Sequence, residues 1–396
     1  MIDLYSLSVI LFFAVLAIVI YKDRKNIDFK YILFMRKTKR FRNLIDRIAK
    51  ISPKFWSIIA NLAIIVCFVT MAIGVYIMLK VSYLVFVGII KEPALQFVFP
   101  IPSQNVVVAP GFVGIPFWFW IVVIATILIP HETFHGIIAR TEKIKLKDVG
   151  LLLLAIFPGA FVEPEEKQLE KSKLKTKLRI FSAGSFINIV IGLVIIVLVQ
   201  FFIWSPNVHG VLITSVNETS PAAYLGLKPG MVIESINHKN LEINFFDYSL
   251  LTLTLSKSNS EDMTKYISNI ILFSTLSNFK PGDTITLKIN KLNYNLTLAE
   301  HPEYKNFPYI GITSKVSTND VSMFNTLFPL LGMISSLNLA VAMFNILPIY
   351  PLDGGLIIKA ITDKYAKKKS KKIYMAITYF ILLIIIYSVV GGFIRI

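Results

Sequence analysis

Six apolar runs, each close to the about 20 residues that a helix needs to cross a bilayer, lie at 5–21, 56–79, 111–139, 180–204, 323–349 and 373–394. A water-soluble globule has no interior large enough to bury so many. The expected fold is therefore a polytopic α-helical membrane protein with about six transmembrane helices. The composition agrees: 55% of residues are hydrophobic and only 16% are charged, which excludes intrinsic disorder and fibrous repeats. The first run reads as a retained anchor and not as a signal peptide, because Asp3 stands where a cationic leader belongs and the basic block follows the run. The one cysteine, Cys67, sits inside an apolar run, so an intrachain disulfide and a cysteine-based zinc site are both excluded.

Charge sets the expected orientation. Between Lys22 and Lys54 there are twelve Lys or Arg against three Asp, and further basic segments at 140–179 and 359–372 carry ten and seven. Threading the spans alternately puts all three on one side, which the positive-inside bias makes the cytoplasm. The segment 205–321, with nine Lys and ten acidic residues, then falls outside with the N-terminus. This distribution accounts for the net charge of +17 through a membrane, with lipid as the neighbour and no nucleic-acid partner. The run 81–90 is also apolar, which leaves the exact number of spans open. The string LLLLAIFPGAFV, 151–162, is too short to cross and return, and its Pro158-Gly159 pair marks a re-entrant hairpin buried among helices.

Composition changes sharply after Trp204. The segments GVLITSV, GMVIESIN and TITLKI are β-branched and are separated by turn signals at Lys228-Pro229-Gly230 and Lys280-Pro281-Gly282-Asp283, so a mainly-β insert is expected. Residues 245–278 interrupt it with a weaker pattern. The expected organisation is an N-terminal transmembrane region at 1–110, a first half of a membrane domain at 111–204, the insert at 205–321 and a second half at 322–396.

The chemistry concentrates at HETFHG, 131–136, where two of the chain's five histidines fall. Residues four apart share a helix face, so His131 and His135 can aim nitrogens at one zinc while Glu132 reaches water beside it. Ionisable groups at this depth cost roughly 2.5 to 3.5 kcal/mol each on insertion scales, which argues for a function. Pro130, just before the motif, either loosens the turn above it or merely kinks the helix. Among distant carboxylates, Asp353 in NILPIYPLDGG, 345–355, is the candidate third ligand, presented from a segment broken by Pro348 and Pro351; an ordinary helix-capping Asp is the alternative. At 1.5 Å per helical residue, Glu132 lies about 12 Å from Arg140 and Asp353 about 9 Å from Lys359, so the two halves can meet at one depth. Asn188, in SAGSFIN, lies about 13 Å from Arg179 by the same measure. Its amide can bond a substrate backbone or an oxyanion, or simply join helices.

Together HETFHG and NILPIYPLDGG resemble the site-2 protease family of intramembrane zinc metalloproteases. GAFVEPEE, 159–166, is similar to that family's re-entrant loop, and the spacing of Gly184 and Asn188 to its Gly-x-x-x-Asn element. SPAAYLGLKPGMVIESIN, 220–237, resembles a PDZ domain, which would accept an extended peptide at a sheet edge. The resemblance covers about residues 111–359. It implies one Zn2+ held by His131, His135 and Asp353, Glu132 as general base, and a transmembrane segment as substrate. Substrate or oxyanion contacts are expected from Gly159, Ala160, Phe161, Val162, Asn188 and Asn345, near the cytoplasmic side of the cell membrane. Two other readings compete. One is a membrane-anchored zincin cutting soluble or misfolded chains, with a third ligand from Glu163, Glu165, Glu166 or Glu170. The other is a transporter or a PDZ-bearing scaffold.

Overall fold

The computed structural model describes residues 3–90, 93, 95–104, 106–154, 157–204, 208–251, 263–302, 304–319 and 323–391. It divides into two compact units, Met1–Leu193 with Ile334–Ile396, and Val194–Met333.

The first unit begins with α1 (Leu4–Asp23), whose N-terminus is capped by the Asp3 carboxylate accepting from the Ser6 amide at 2.8 Å. Strands β1 (Ile27–Lys30) and β2 (Leu33–Lys37) follow, then the amphipathic α2 (Lys39–Ile51) and the long α3 (Pro53–Phe86). A small sheet of β3 (Phe97–Ile101), β4 (Val107–Ala109) and β5 (Phe112–Pro116) leads into α4 (Phe117–Thr141). Next come β6 (Leu146–Leu154), β7 (Phe157–Pro164), the short α5 (Glu166–Lys171) and α6 (Leu174–Val199). The C-terminal part supplies α7 (Phe328–Asn345), α8 (Asp353–Tyr365) and α9 (Ser370–Val390).

Among the described residues, six stretches are long and apolar enough to cross a membrane: Leu4–Asn26, Pro53–Phe86, Phe117–Thr141, Leu174–Trp204, Phe328–Asn345 and Lys367–Val390. The chain is a multi-pass membrane protein. Their packing inverts that of a soluble helix. On α3 the small Ala60, Ala63, Cys67 and Gly74 are buried, whereas Ile58, Leu62, Ile65 and Val69 face outward. Small residues let backbones approach closely, and large aliphatic ones meet lipid at no cost. The starts of α1 and α4 lie side by side, with the Trp118 amide donating to the Tyr5 hydroxyl at 3.2 Å and Trp118 Nε1 to Ser8 Oγ at 3.0 Å. At the opposite end of α4, Arg179 on α6 pairs with Glu142 and donates to Asn61 Oδ1 of α3 at 2.8 and 3.1 Å, while Thr176 also donates to Glu142. This knot ties three helices together.

Strands β1, β2, β6 and β7 form one antiparallel sheet in that order. One end carries charge: Lys37 meets Asp148 at 3.0 Å and Asp28 at 3.3 Å, and Lys147 meets Glu163 at 2.6 Å. The Asp148 carboxylate, helped by Asp28, holds the Lys37 ammonium above its ordinary pKa. The other end is apolar, with Leu152 to Leu154 opposite Leu33 to Met35. Strand β7 runs beside α4, from Phe157, whose ring lies 5.7 Å from that of Trp120, to Val162, whose amide reaches Glu132. Twelve helical residues rise about 18 Å and five strand residues about 17 Å, so strand and helix keep pace.

Several expectations change at their edges. The third span starts at Phe117 and not at 111, because 112–116 pair as β5. The run 81–90 is no separate span: its first residues finish α3. The last helix runs Ser370–Val390 with Gly391 as its cap, and 392–396 lie outside the described residues. The loop after α1, read only as basic, holds β1, β2 and α2. The helix α4 continues through Pro130.

In the second unit, β8 (Val208–Val216), β9 (Val232–Ile236), β11 (Thr284–Ile289), β12 (Leu292–Thr297) and β15 (Ile312–Thr318) form the main sheet, ordered β12-β11-β9-β8-β15. The short β10 (Lys239–Asn240) pairs with β9, and β13 (Ala299–Glu300) pairs with β14 (Pro308–Tyr309). The expected short helix after Ser220 is Pro221–Tyr224, capped by the Ser220 hydroxyl. The weakly patterned 245–278 contains helices Phe245–Leu251 and Met263–Leu276, with 252–262 outside the described residues. The Met263–Leu276 helix lies on the edge strand β15, joined by a buried Ser268–Ser314 hydroxyl pair at 2.6 Å.

Candidate metal centre

His131 and His135 stand one turn apart on α4, so their rings leave the same face and their Nε2 atoms come within 3.2 Å. Asp353 is the first residue of α8 and reaches them from another part of the chain. Its Oδ2 lies 3.4 Å from His131 Nε2 and its Oδ1 3.3 Å from His135 Nε2. That approach depends on the two residues after it: a Cβ on Gly354 would lie 1.9 Å from the Ile346 carbonyl oxygen, and one on Gly355 2.3 Å from the Ile349 carbonyl. The first turn of α8 therefore packs backbone to backbone on 346–350. Among the described residues, His131, His135 and Asp353 bring one ligand atom each to within 4.8 Å of one another.

This donor set fits a zinc ion. A tetrahedral shell with bonds of about 2.0–2.1 Å has ligand–ligand edges of about 3.3–3.4 Å, close to the spacings here, and two imidazoles with a carboxylate are a zinc donor set. The space between the rings is kept open by α6, where a Cβ at Gly184 would lie 2.4 Å from each Nε2. The same helix touches every ligand. His135 Nδ1 meets the Ile180 carbonyl oxygen at 2.7 Å, Ser185 Oγ donates to Asp353 Oδ2 at 3.0 Å, and the Asn188 amide lies 3.2 Å from His131 Nδ1.

Glu132 points elsewhere. Its Oε2 accepts from the Val162 amide at 3.1 Å. With His135, Val162 and Asp353 it lines a cavity of about 400 Å³ that also touches Lys177 and Lys359. Of the strand residues singled out by sequence, Gly159, Ala160, Phe161 and Val162 all lie on β7, an edge strand of its sheet. Asn188 is fully buried and is not among the residues lining the cavity. Asn345 closes α7, is half-buried and also lies off the cavity lining. The alternative carboxylates are not in the cluster: Glu163 pairs with Lys147, Glu165 precedes α5, and Glu166 and Glu170 line the same cavity without belonging to the ligand group. Sequence reasoning missed Ser185 and the Ile180 carbonyl. Their spacing from Asn188 on one helix face was a usable signal, but a serine and a main-chain oxygen carry no signature of their own.

The model of peptidase family M50 matches residues 119–387, a span that includes both halves of the site. The chain belongs to this family, the site-2 proteases, whose members are membrane zinc metalloproteases. It is also similar to an uncharacterized protein of Methanocaldococcus jannaschii, MJ0971, at 27% identity over 374 residues, covering 92% of this chain and 88% of that one.

Proposed function

We propose that this protein is an intramembrane zinc metalloprotease that hydrolyses peptide bonds in the transmembrane segments of other membrane proteins. The observation that carries this reading is the His131–His135–Asp353 cluster, with Glu132, His135 and Asp353 lining one cavity, both histidines on a helix long enough to cross a bilayer and Asp353 at the start of the shorter α8. One Zn2+ held by these three residues would polarise the scissile carbonyl and bring the pKa of water at the site towards about 7. The protein's own residues do the rest. Glu132 takes the proton of the attacking water and passes it to the leaving amine. The Val162 amide occupies its Oε2, which fixes the carboxylate and leaves Oε1 for proton transfer.

A helical substrate has its carbonyls tied up and must unwind before attack. The edge strand β7 offers Gly159, Ala160, Phe161 and Val162 for pairing with the extended chain. Because β7 keeps pace with α4, it lies at membrane depth as a re-entrant hairpin if α4 spans. The cavity residues Lys177 and Lys359 belong to the two basic segments expected inside, which supports water entering from the cytoplasmic face. The second unit, with its edge strand β15 beside a helix, is read as an extracytoplasmic PDZ-like domain that holds a peptide or screens substrates by the size of their outer portion.

The test is metal quantitation on the purified protein, followed by incubation with a panel of single-span substrates. About one zinc per chain is expected, with cleavage by the native protein and none by Glu132→Gln. Folded protein without zinc, or turnover surviving in that variant, refutes the proposal.

A further inference from the structure

We infer that α6 is the scaffold that orients all three metal ligands, and that Asn188 is a positioning residue for His131 and not a substrate contact. The inference rests on the zinc reading above. A histidine that offers its Nε2 lone pair to a metal must carry its proton on Nδ1, and that N–H needs an acceptor. His135 has one that cannot act otherwise: the Ile180 carbonyl oxygen at 2.7 Å from Nδ1. Among the described residues, the partner at His131 Nδ1 is the Asn188 side chain, at 3.2 Å.

The amide can face Nδ1 with either end, and the two ends have opposite consequences. With Nδ2 towards the ring, Nδ1 must supply the lone pair, the proton moves to Nε2, and that atom is lost as a ligand. This orientation also leaves the fully buried Asn188 Oδ1 without a hydrogen-bond partner. Turned over, Oδ1 accepts from Nδ1–H. The orphaned oxygen is then satisfied, and both Nε2 lone pairs converge on the space above Gly184. Metal binding selects this second orientation.

The third ligand is held from the same helix, by the Ser185 hydroxyl on Asp353 Oδ2. Residues 180, 184 and 188 follow one another at four-residue steps and so share a face. Along that face stand an acceptor for His135, a bare backbone beside the two Nε2 atoms and an acceptor for His131, with Ser185 at the flank. An oxyanion donor would have to face the reacting carbonyl. Asn188 is fully buried and lies off the cavity that Glu132 lines.

The test uses the full-length protein in detergent and measures zinc affinity by competition with a chelator of known strength. Michaelis constants on a single-span substrate are measured in parallel. Asn188→Leu should weaken zinc by about 10–100-fold, the usual loss for an outer-shell partner. Asn188→Asp, which still accepts from Nδ1–H, should recover most of that affinity, and KM should change little in either. Ser185→Ala should weaken zinc in the same direction. Ser182→Ala, a buried α6 change at a hydroxyl with no hydrogen-bond partner among the described residues, should not. Native zinc affinity in Asn188→Leu together with a reduced kcat would overturn the inference and return Asn188 to a substrate or oxyanion role. Equal losses in Asn188→Leu, Asn188→Asp and Ser182→Ala would overturn it in favour of general packing. A native protein that binds no zinc sinks both this inference and the function on which it rests.

Discussion

Gly184→Ala is the sharpest single perturbation of the site. The new methyl would sit 2.4 Å from His131 Nε2 and from His135 Nε2, whereas ordinary contact begins near 3.4 Å, so about 1 Å of relief is needed against two atoms at once. Neither ring can retreat easily, because each Nδ1 is already engaged by α6. A carbon at that distance also stands near the place that a zinc about 2.0–2.1 Å from each nitrogen would take. Overpacking costs typically ~1–3 kcal/mol. If the strain falls on the metal-bound arrangement alone, that corresponds to roughly a 5- to 150-fold loss of zinc affinity. The assay is chelator competition together with thermal unfolding in detergent. Gly192→Ala is the control, since its Cβ would press on Leu339 at 2.7 Å and the Ser335 carbonyl oxygen at 2.9 Å, far along α6 from the histidines. It should lower stability and leave zinc affinity unchanged. Full zinc loading and full activity in Gly184→Ala would refute the reasoning.

Other expectations follow from the same geometry. Val162→Pro removes the N–H that holds Glu132; a hydrogen bond to a charged group is worth about 1.5–3 kcal/mol, so kcat should fall roughly 10- to 150-fold with zinc content unchanged. Arg179→Leu strands the Glu142 carboxylate, both side chains being only 13% exposed, and should cost ~3–5 kcal/mol in thermal unfolding, while adding Glu142→Leu should restore much of it. In the second unit Trp204 packs 4.8 Å from the rings of Tyr248 and Phe328, so Trp204→Ala should cost ~3–5 kcal/mol, visible as faster proteolysis of that unit. Glu234 is held below the ordinary carboxylate range by Lys288, so its small contribution is complete above its unfolded pKa of about 4.3 and disappears as pH falls through the lowered value; an NMR titration with and without Lys288→Ala checks the sign.

The residues that announce chemistry were legible because a membrane makes them rare. Two histidines and a glutamate inside an apolar helix have few reasons to be there, and Asp353 stood out through the prolines and glycines around it. The spans were legible for the same reason, since a hydropathy run needs no partner to be recognised. Elements defined by their neighbours were not. Strand β2 is visible only once Leu33 to Lys37 find Gly150 to Leu154, a pairing across more than a hundred residues. The helix Met263–Leu276 buries Ile267 and Ile271 against a sheet that sequence alone does not assemble. Asn188 was found as a residue, with its amide left open to a substrate, an oxyanion or another helix, because which group it addresses is a matter of three dimensions.

The carboxylate that completes the cluster is made 168 positions after Ser185, its hydrogen-bond partner on α6. At about 5–20 residues per second, ribosomes need roughly 8–34 s to cover that interval. Throughout it a growing chain has both imidazoles and their supporting helix but no third ligand. Under the function proposed above, a half-made copy lacks the Asp353 ligand and so cannot hydrolyse a peptide bond before the second half of the site is in place.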